Sequence, residues 1–235
     1  MAGLLYKEFV LCKKALLILL GVAAVATVYM IYNSIISDDS ELTIIFAVLY
    51  FIVFFVAGFV QSEMFQRDEN AKWSSFVIST PKAAKGQVQC KYYAALILNI
   101  FVVSWAYLLD SVTAALGSGS LIFVILALFC GQLLINALEF PFSIRFGSKR
   151  GSNIKMGIVM AIFLAFIIYG LFGDISFILS DDFPEKLAAF FNGDGLSTVV
   201  LWILGVLPYA GYGSYYLSCK IAEKLYLKGV ECYDE

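Results

Sequence analysis

Apolar residues fall in long runs along this chain, broken by short polar turns and one long polar stretch. Residues 15–36 carry no charged side chain. At ~1.5 Å per residue such a run makes about 33 Å of helix, enough to cross a bilayer core of ~30 Å. The pattern repeats, and it predicts spans at about 15–36, 42–61, 92–112, 120–140, 154–173 and 196–218. Pro141 is expected to close the fourth span, Ser152 or Asn153 to cap the fifth, and Pro208 to kink the sixth.

The remaining segments have their own periodicities. Residues 1–14 place Leu4, Leu5, Phe9 and Cys12 at helical spacing among Lys7, Glu8, Lys13 and Lys14, which predicts an amphipathic helix in the membrane interface. The apolar run that follows is too long for a cleavable signal and is read as the first true span. Residues 174–195 hold Pro184 where a first helical turn accepts it, then Leu187, Phe190 and Phe191, which predicts a short amphipathic helix on the opposite face. The polar stretch from Gln61 to Lys91 reads as a short helix, a stop at Pro81 and a second helix running into the third span. Thr80 and Pro81 are its expected N-cap and first helical residue.

Charge fixes the orientation. Of the 16 Lys and Arg, only Lys186 falls on the face that holds residues 174–195. The positive-inside rule makes the other face cytoplasmic and places both termini there. The fold class expected is thus an all-α membrane protein with six transmembrane helices.

Composition narrows the chemistry. The chain has 235 residues, 61% hydrophobic and 14% charged, with a net charge of −2. A soluble domain carries about 25% charged residues, and nothing here suits nucleic acid. The five cysteines, Cys12, Cys90, Cys130, Cys219 and Cys232, form no CxxC pair, and there is no histidine. That weighs against disulfides, zinc and histidine-based catalysis. No GxxxxGK[ST] phosphate loop is present, so the chain is expected not to be an enzyme and to hold no cofactor of its own.

Two sets of residues invite a functional reading. Trp73, Phe76 and Val77 form an apolar edge flanked by Arg67, Asp68, Glu69 and Lys72. This edge suits either a docking surface or the aromatic belt of the membrane interface. The polar residues within or bordering the spans are Asn33, Gln61, Asn99, Ser104, Gln132, Asn136 and Glu139. They suit either a substrate path or, the favoured reading, hydrogen bonds between helices. No carboxylate falls clearly at the midplane, which weighs against an ion-coupled mechanism.

Four stretches then carry a family resemblance. LLYKEF with its lysine pair, RDENAKWSSFVISTPKAAKGQVQCKYYAALIL, FPFSIRFGSKRG and SCKIAEKLYLKG together resemble a type-2 ABC transporter permease of the short six-span bacterial kind. In particular they are similar to the permeases of phenol-soluble-modulin exporters. The resemblance implies one permease domain over residues 1–235. It comprises an elbow helix at 1–14, a coupling region at 62–91, an extracellular helical segment at 174–195 and a cytoplasmic tail at 219–235. It makes Arg67, Asp68, Glu69, Asn70, Trp73 and Phe76 the coupling helix that docks on an ABC ATPase. Arg145, Lys149 and Arg150 become a second cytoplasmic contact.

ATP and Mg²⁺ would then bind in the ATPase subunit, and a second permease copy or paralogue would complete the pump. The cargo implied is an amphipathic peptide or lipid-like molecule, exported across a bacterial plasma membrane in which the chain is a multi-pass protein. The competing expectation is a stand-alone secondary transporter or channel. It calls for an internal repeat or a midplane ionisable group.

Overall fold

The computed structural model describes residues 2–36, 41–70, 83–117, 120–172 and 198–231. Among these residues the chain is helical throughout: α1 (Ala2–Leu11), α2 (Lys13–Ile36), α3 (Glu41–Asn70), α4 (Ala83–Ala115), α5 (Ile122–Phe146), α6 (Ser148–Phe172) and α7 (Thr198–Glu231). Four of them, α2 to α5, are long and apolar enough to cross a membrane. Trp73, Phe76, the Thr80–Pro81 cap and the helix expected around 184–191 lie outside the described residues.

Helix α3 sits against α1, α2, α4, α5 and α6, while α5 packs most extensively on α7 and then on α6. The core between them is apolar, with Phe46, Tyr50, Met64, Leu133 and Phe140 almost fully buried. Helix α2 by contrast buries only Leu19, Ala26, Met30 and Ser34. These positions repeat at helical spacing, so one narrow stripe faces the bundle and the rest of the helix is free to face lipid.

The elements run longer than the hydrophobic pattern alone marks. Residues 62–70 are not a separate helix but the last turns of α3. Pro141 does not close its span, because α5 continues through it to Phe146. A proline inside a helix removes one backbone N–H and orphans the carbonyl four residues earlier. Here that carbonyl belongs to Ala137, and the Ser218 hydroxyl of α7 donates to it at 2.6 Å. Tyr92 of α4 lies 2.7 Å from the same hydroxyl, and Tyr215 donates to the Tyr92 carbonyl at 2.7 Å. Borrowed hydrogen bonds therefore keep α5 continuous. Phe65, Phe140, Tyr92 and Tyr215 cluster around the spot, with the Tyr92 ring 5.1 Å from Phe140 and 5.0 Å from Tyr215.

The turn between α5 and α6 is tight. Gly147 has φ +92°, a left-handed value that strains any residue with a Cβ. A Cβ on Gly151 would fall 2.9 Å from the Ser143 Cα, so the returning helix passes too close for a larger residue. Helix α6 accordingly begins at Ser148, earlier than the expected caps Ser152 and Asn153. Its cap comes from another helix, as described next.

Candidate functional site

The polar residues of α3, α4 and α5 fall on facing stripes. On α5 these are Gln132, Asn136, Glu139 and Ser143, spaced by four, three and four residues. That spacing puts them on one face of a helix. They meet α3 in two tiers. In the upper tier Gln61 is fully buried and spends its whole amide. Its Nε2 donates to Asn99 Oδ1 at 2.7 Å, and its Oε1 accepts from Gln132 at 3.0 Å and Asn136 at 2.6 Å. Three helices are thereby bonded through one side chain. Asn99 Nδ2 and Asn136 Oδ1 have no partner among the described residues.

In the next tier Lys155 of α6 reaches into the bundle. Its ammonium lies 3.2 Å from Glu139 Oε2 and donates to the Gly58 carbonyl at 2.8 Å and to Ser62 Oγ at 3.0 Å. Ser62 in turn donates to Glu139 Oε1 at 2.6 Å. Glu139 is 1% exposed. A carboxylate so deep is strongly unfavourable unless paired and hydrogen-bonded, and here it is both.

The third constellation lies at the end of α3, where the polar stretch begins. Asp68 is buried and takes two ammonium groups, Lys91 of α4 at 2.6 Å and Lys7 of α1 at 2.8 Å. Glu8 sits 3.1 Å from Lys7 and 3.6 Å from Lys91, so two cations and two anions balance. Gln87 donates to Asp68 at 3.3 Å, and Tyr226 of α7 donates to Gln87 at 3.3 Å. Lys91 also donates to the Met64 carbonyl at 3.1 Å and lies 4.7 Å above the Phe65 ring. Arg67 ties α3 to the elbow by donating to the Leu11 carbonyl at 2.6 Å, and it pairs with Glu63 at 2.9 Å. The expected interfacial helix α1 is thus clamped to the bundle through Lys7 and Glu8. The neighbouring Cys12 thiol is pushed up to about 11 by burial first and by Glu8 second, which keeps it protonated and unreactive.

Glu69 completes the arrangement. Its carboxylate accepts from the Ser148 backbone N–H at 2.6 Å and from the Ser148 hydroxyl at 2.5 Å. A carboxylate at a helix N-terminus satisfies free amides and complements the helix dipole. Gly147 makes room for it, since a Cβ there would meet Glu69 Oε1 at 2.9 Å. Asp110 does the same at the other end of the bundle, where it accepts from the Leu121 N–H and the Ser120 hydroxyl, each at 2.8 Å.

Of the residues singled out from sequence, Arg67, Asp68 and Glu69 therefore bind other parts of this chain, and Asn70 is exposed. Arg145, Lys149 and Arg150 are exposed around the α5–α6 turn, which Glu69 joins to the end of α3. Trp73 and Phe76 lie beyond the described residues. Lys7, Glu8, Lys91 and Lys155 were not among the residues expected to form a site. The polar stripes on α4 (Gln87, Lys91, Asn99) and α5 are the signal that marks where their partners lie.

A helical bundle with buried polar ties and long apolar outer faces defines a multi-pass membrane protein. Residues 3–223 match the family described as ABC-2 family transporter protein, and the chain belongs to that family of transporter permeases. No curated protein and no solved structure matches it.

Proposed function

We propose that this chain is the membrane subunit of an ATP-driven exporter of the bacterial plasma membrane, working with a separate ABC ATPase. The observation that carries the reading is the convergence on the end of α3. Helices α1, α4 and α6 are all bonded to Arg67, Asp68 or Glu69 there. The segment that follows, with Trp73 and Phe76, thus hangs from a point where force would enter several helices together. In this reading the segment that holds Trp73 and Phe76 docks in a groove of the ATPase, and of the exposed basic residues around the α5–α6 turn Lys149 and Arg150 form the second contact. ATP and Mg²⁺ bind in the partner, and this chain hydrolyses nothing.

Helices α6 and α7 complete six spans, and a second permease copy or paralogue lines the path. Switching requires that ATP and cargo bind the inward- and outward-facing states with different affinities. The cargo is an amphipathic peptide, as in the modulin exporters the sequence resembles, or a comparable apolar molecule. An aromatic content of 16% and the pairing of Glu139 with Lys155 suit such a cargo.

The test is Trp73→Ala in the full chain, co-expressed with its ATPase. An interface anchor of this kind is worth about 2 kcal/mol or more, so ATPase co-purification is expected to fall at least about tenfold while the permease stays folded. Undiminished co-purification sinks the docking reading.

A further inference from the structure

We infer that the groove between α5 and α7 is a binding site for one acyl chain of an anionic phospholipid, with Arg145 holding the headgroup phosphate. The groove encloses about 510 Å³ and is lined by Leu138, Pro141, Phe142, Leu217 and Ile221, with Arg145 among them. From Leu138 to Arg145, and alongside from Ser214 to Leu225, it follows the helices for about 10–17 Å. That is close to one leaflet's half of a ~30 Å hydrocarbon core.

Its chemistry selects the occupant. Two hydroxyls border the groove and neither is free. Ser218 donates to the Ala137 carbonyl that Pro141 leaves vacant, and Ser214 donates to the Gly211 carbonyl at 2.8 Å. The walls therefore offer an incoming molecule only apolar contact. At one end stands a cation. The Arg145 guanidinium lies 5.4 Å from the Phe146 ring centre, is exposed, and has no carboxylate partner among the described residues. Lys220, next to Ile221 on α7, is engaged with Glu223 at 3.4 Å. A long apolar slot with one unspent guanidinium at its mouth fits a molecule with a long apolar tail and one anionic head. Basic pockets between membrane helices on the cytoplasmic side hold lipid headgroups in this way. Arg145, in the last turn of α5, is also among the basic residues that the charge distribution assigns to the cytoplasmic face. A protein partner would leave the guanidinium's charge unanswered unless it brought a matching acid. A phospholipid brings one with every molecule.

The proposal depends on the chain lying in a membrane and not on its docking to an ATPase. Its test uses the full chain in nanodiscs of equal phosphatidylglycerol and phosphatidylcholine, followed by native mass spectrometry of the lipids retained after detergent transfer. One cation near the surface is expected to favour retained phosphatidylglycerol by about fivefold, and Arg145→Gln to bring the ratio to about one. Leu217→Trp, which fills an exposed part of the groove, is expected to lower retention of both lipids. Equal retention of the two lipids by the unsubstituted chain overturns the proposal, as does an unchanged ratio in Arg145→Gln. Efficient crosslinking of Leu217→Cys chains to one another also overturns it, because a second copy would then cover the groove.

Discussion

Asp68 shows how a single side chain sets the character of a whole membrane protein's end. It is 6% exposed and faces two ammonium groups, so its removal takes a shared carboxylate from both Lys7 and Lys91. Breaking a buried ion pair from one side costs about 3–5 kcal/mol. Asp68→Asn is therefore expected to lower the thermal unfolding midpoint of the detergent-solubilised chain markedly. Glu63→Gln, which removes the partly exposed partner of Arg67, is expected to cost under about 1 kcal/mol. Similar melting of the two variants would refute the assignment of Asp68 as the keystone. Asp68 was visible in the sequence as a charged residue beside Trp73, and its neighbours suggested an outward-facing role. Its partners were not visible. Lys7 lies 61 residues away, and no local periodicity links the two. What the sequence does contain is a polar stripe on α4, and Gln87 and Lys91 on that stripe are the groups that meet Asp68.

At the scale of elements, the existence of the helices was legible and several of their ends were not. Apolar runs announce a span because backbone groups in lipid must be satisfied within the segment. Pro141 looked like an end for the same reason, since it breaks that internal satisfaction. The helix continues because Ser218, 81 residues from the carbonyl it serves, makes good the missing bond. The start of α6 at Ser148 escaped notice because its cap is Glu69, from α3 rather than from the local chain. The Pro141–Ser218 relation has a measurable signature. In Pro141→Ala the helix regains its own N–H, so the Ala137 carbonyl no longer needs the Ser218 hydroxyl. Ser218→Ala is expected to cost about 0.5–1.5 kcal/mol more in the natural background than in the Pro141→Ala background, where the bond to the Tyr92 hydroxyl is what remains to be lost. A double-mutant cycle on unfolding free energy reads the difference, and strictly additive losses would rule the relation out.

For the whole molecule, the class of protein was legible from hydropathy, and the family followed from the order of its loose motifs. The favoured reading of the buried polar residues, helix-to-helix bonding, matches the geometry of Gln61, Asn99, Gln132 and Asn136. Orientation rests on charge segregation and calls for its own experiment. In a background without native cysteines, Lys186→Cys is expected to react with a membrane-impermeant maleimide on intact cells, and Arg150→Cys only after lysis. The reverse pattern would invert the topology. The joint between Glu69 and Ser148 carries a consequence for inheritance and engineering. Two stretches of sequence 79 residues apart form one interlocking part, with the carboxylate on one and the glycine-lined notch on the other. Transplanting residues 62–91 from a related permease would bring a plug without its socket. The smallest exchangeable piece of this face must include residues 141–151 as well, and a lineage that changes one half is under pressure to change the other.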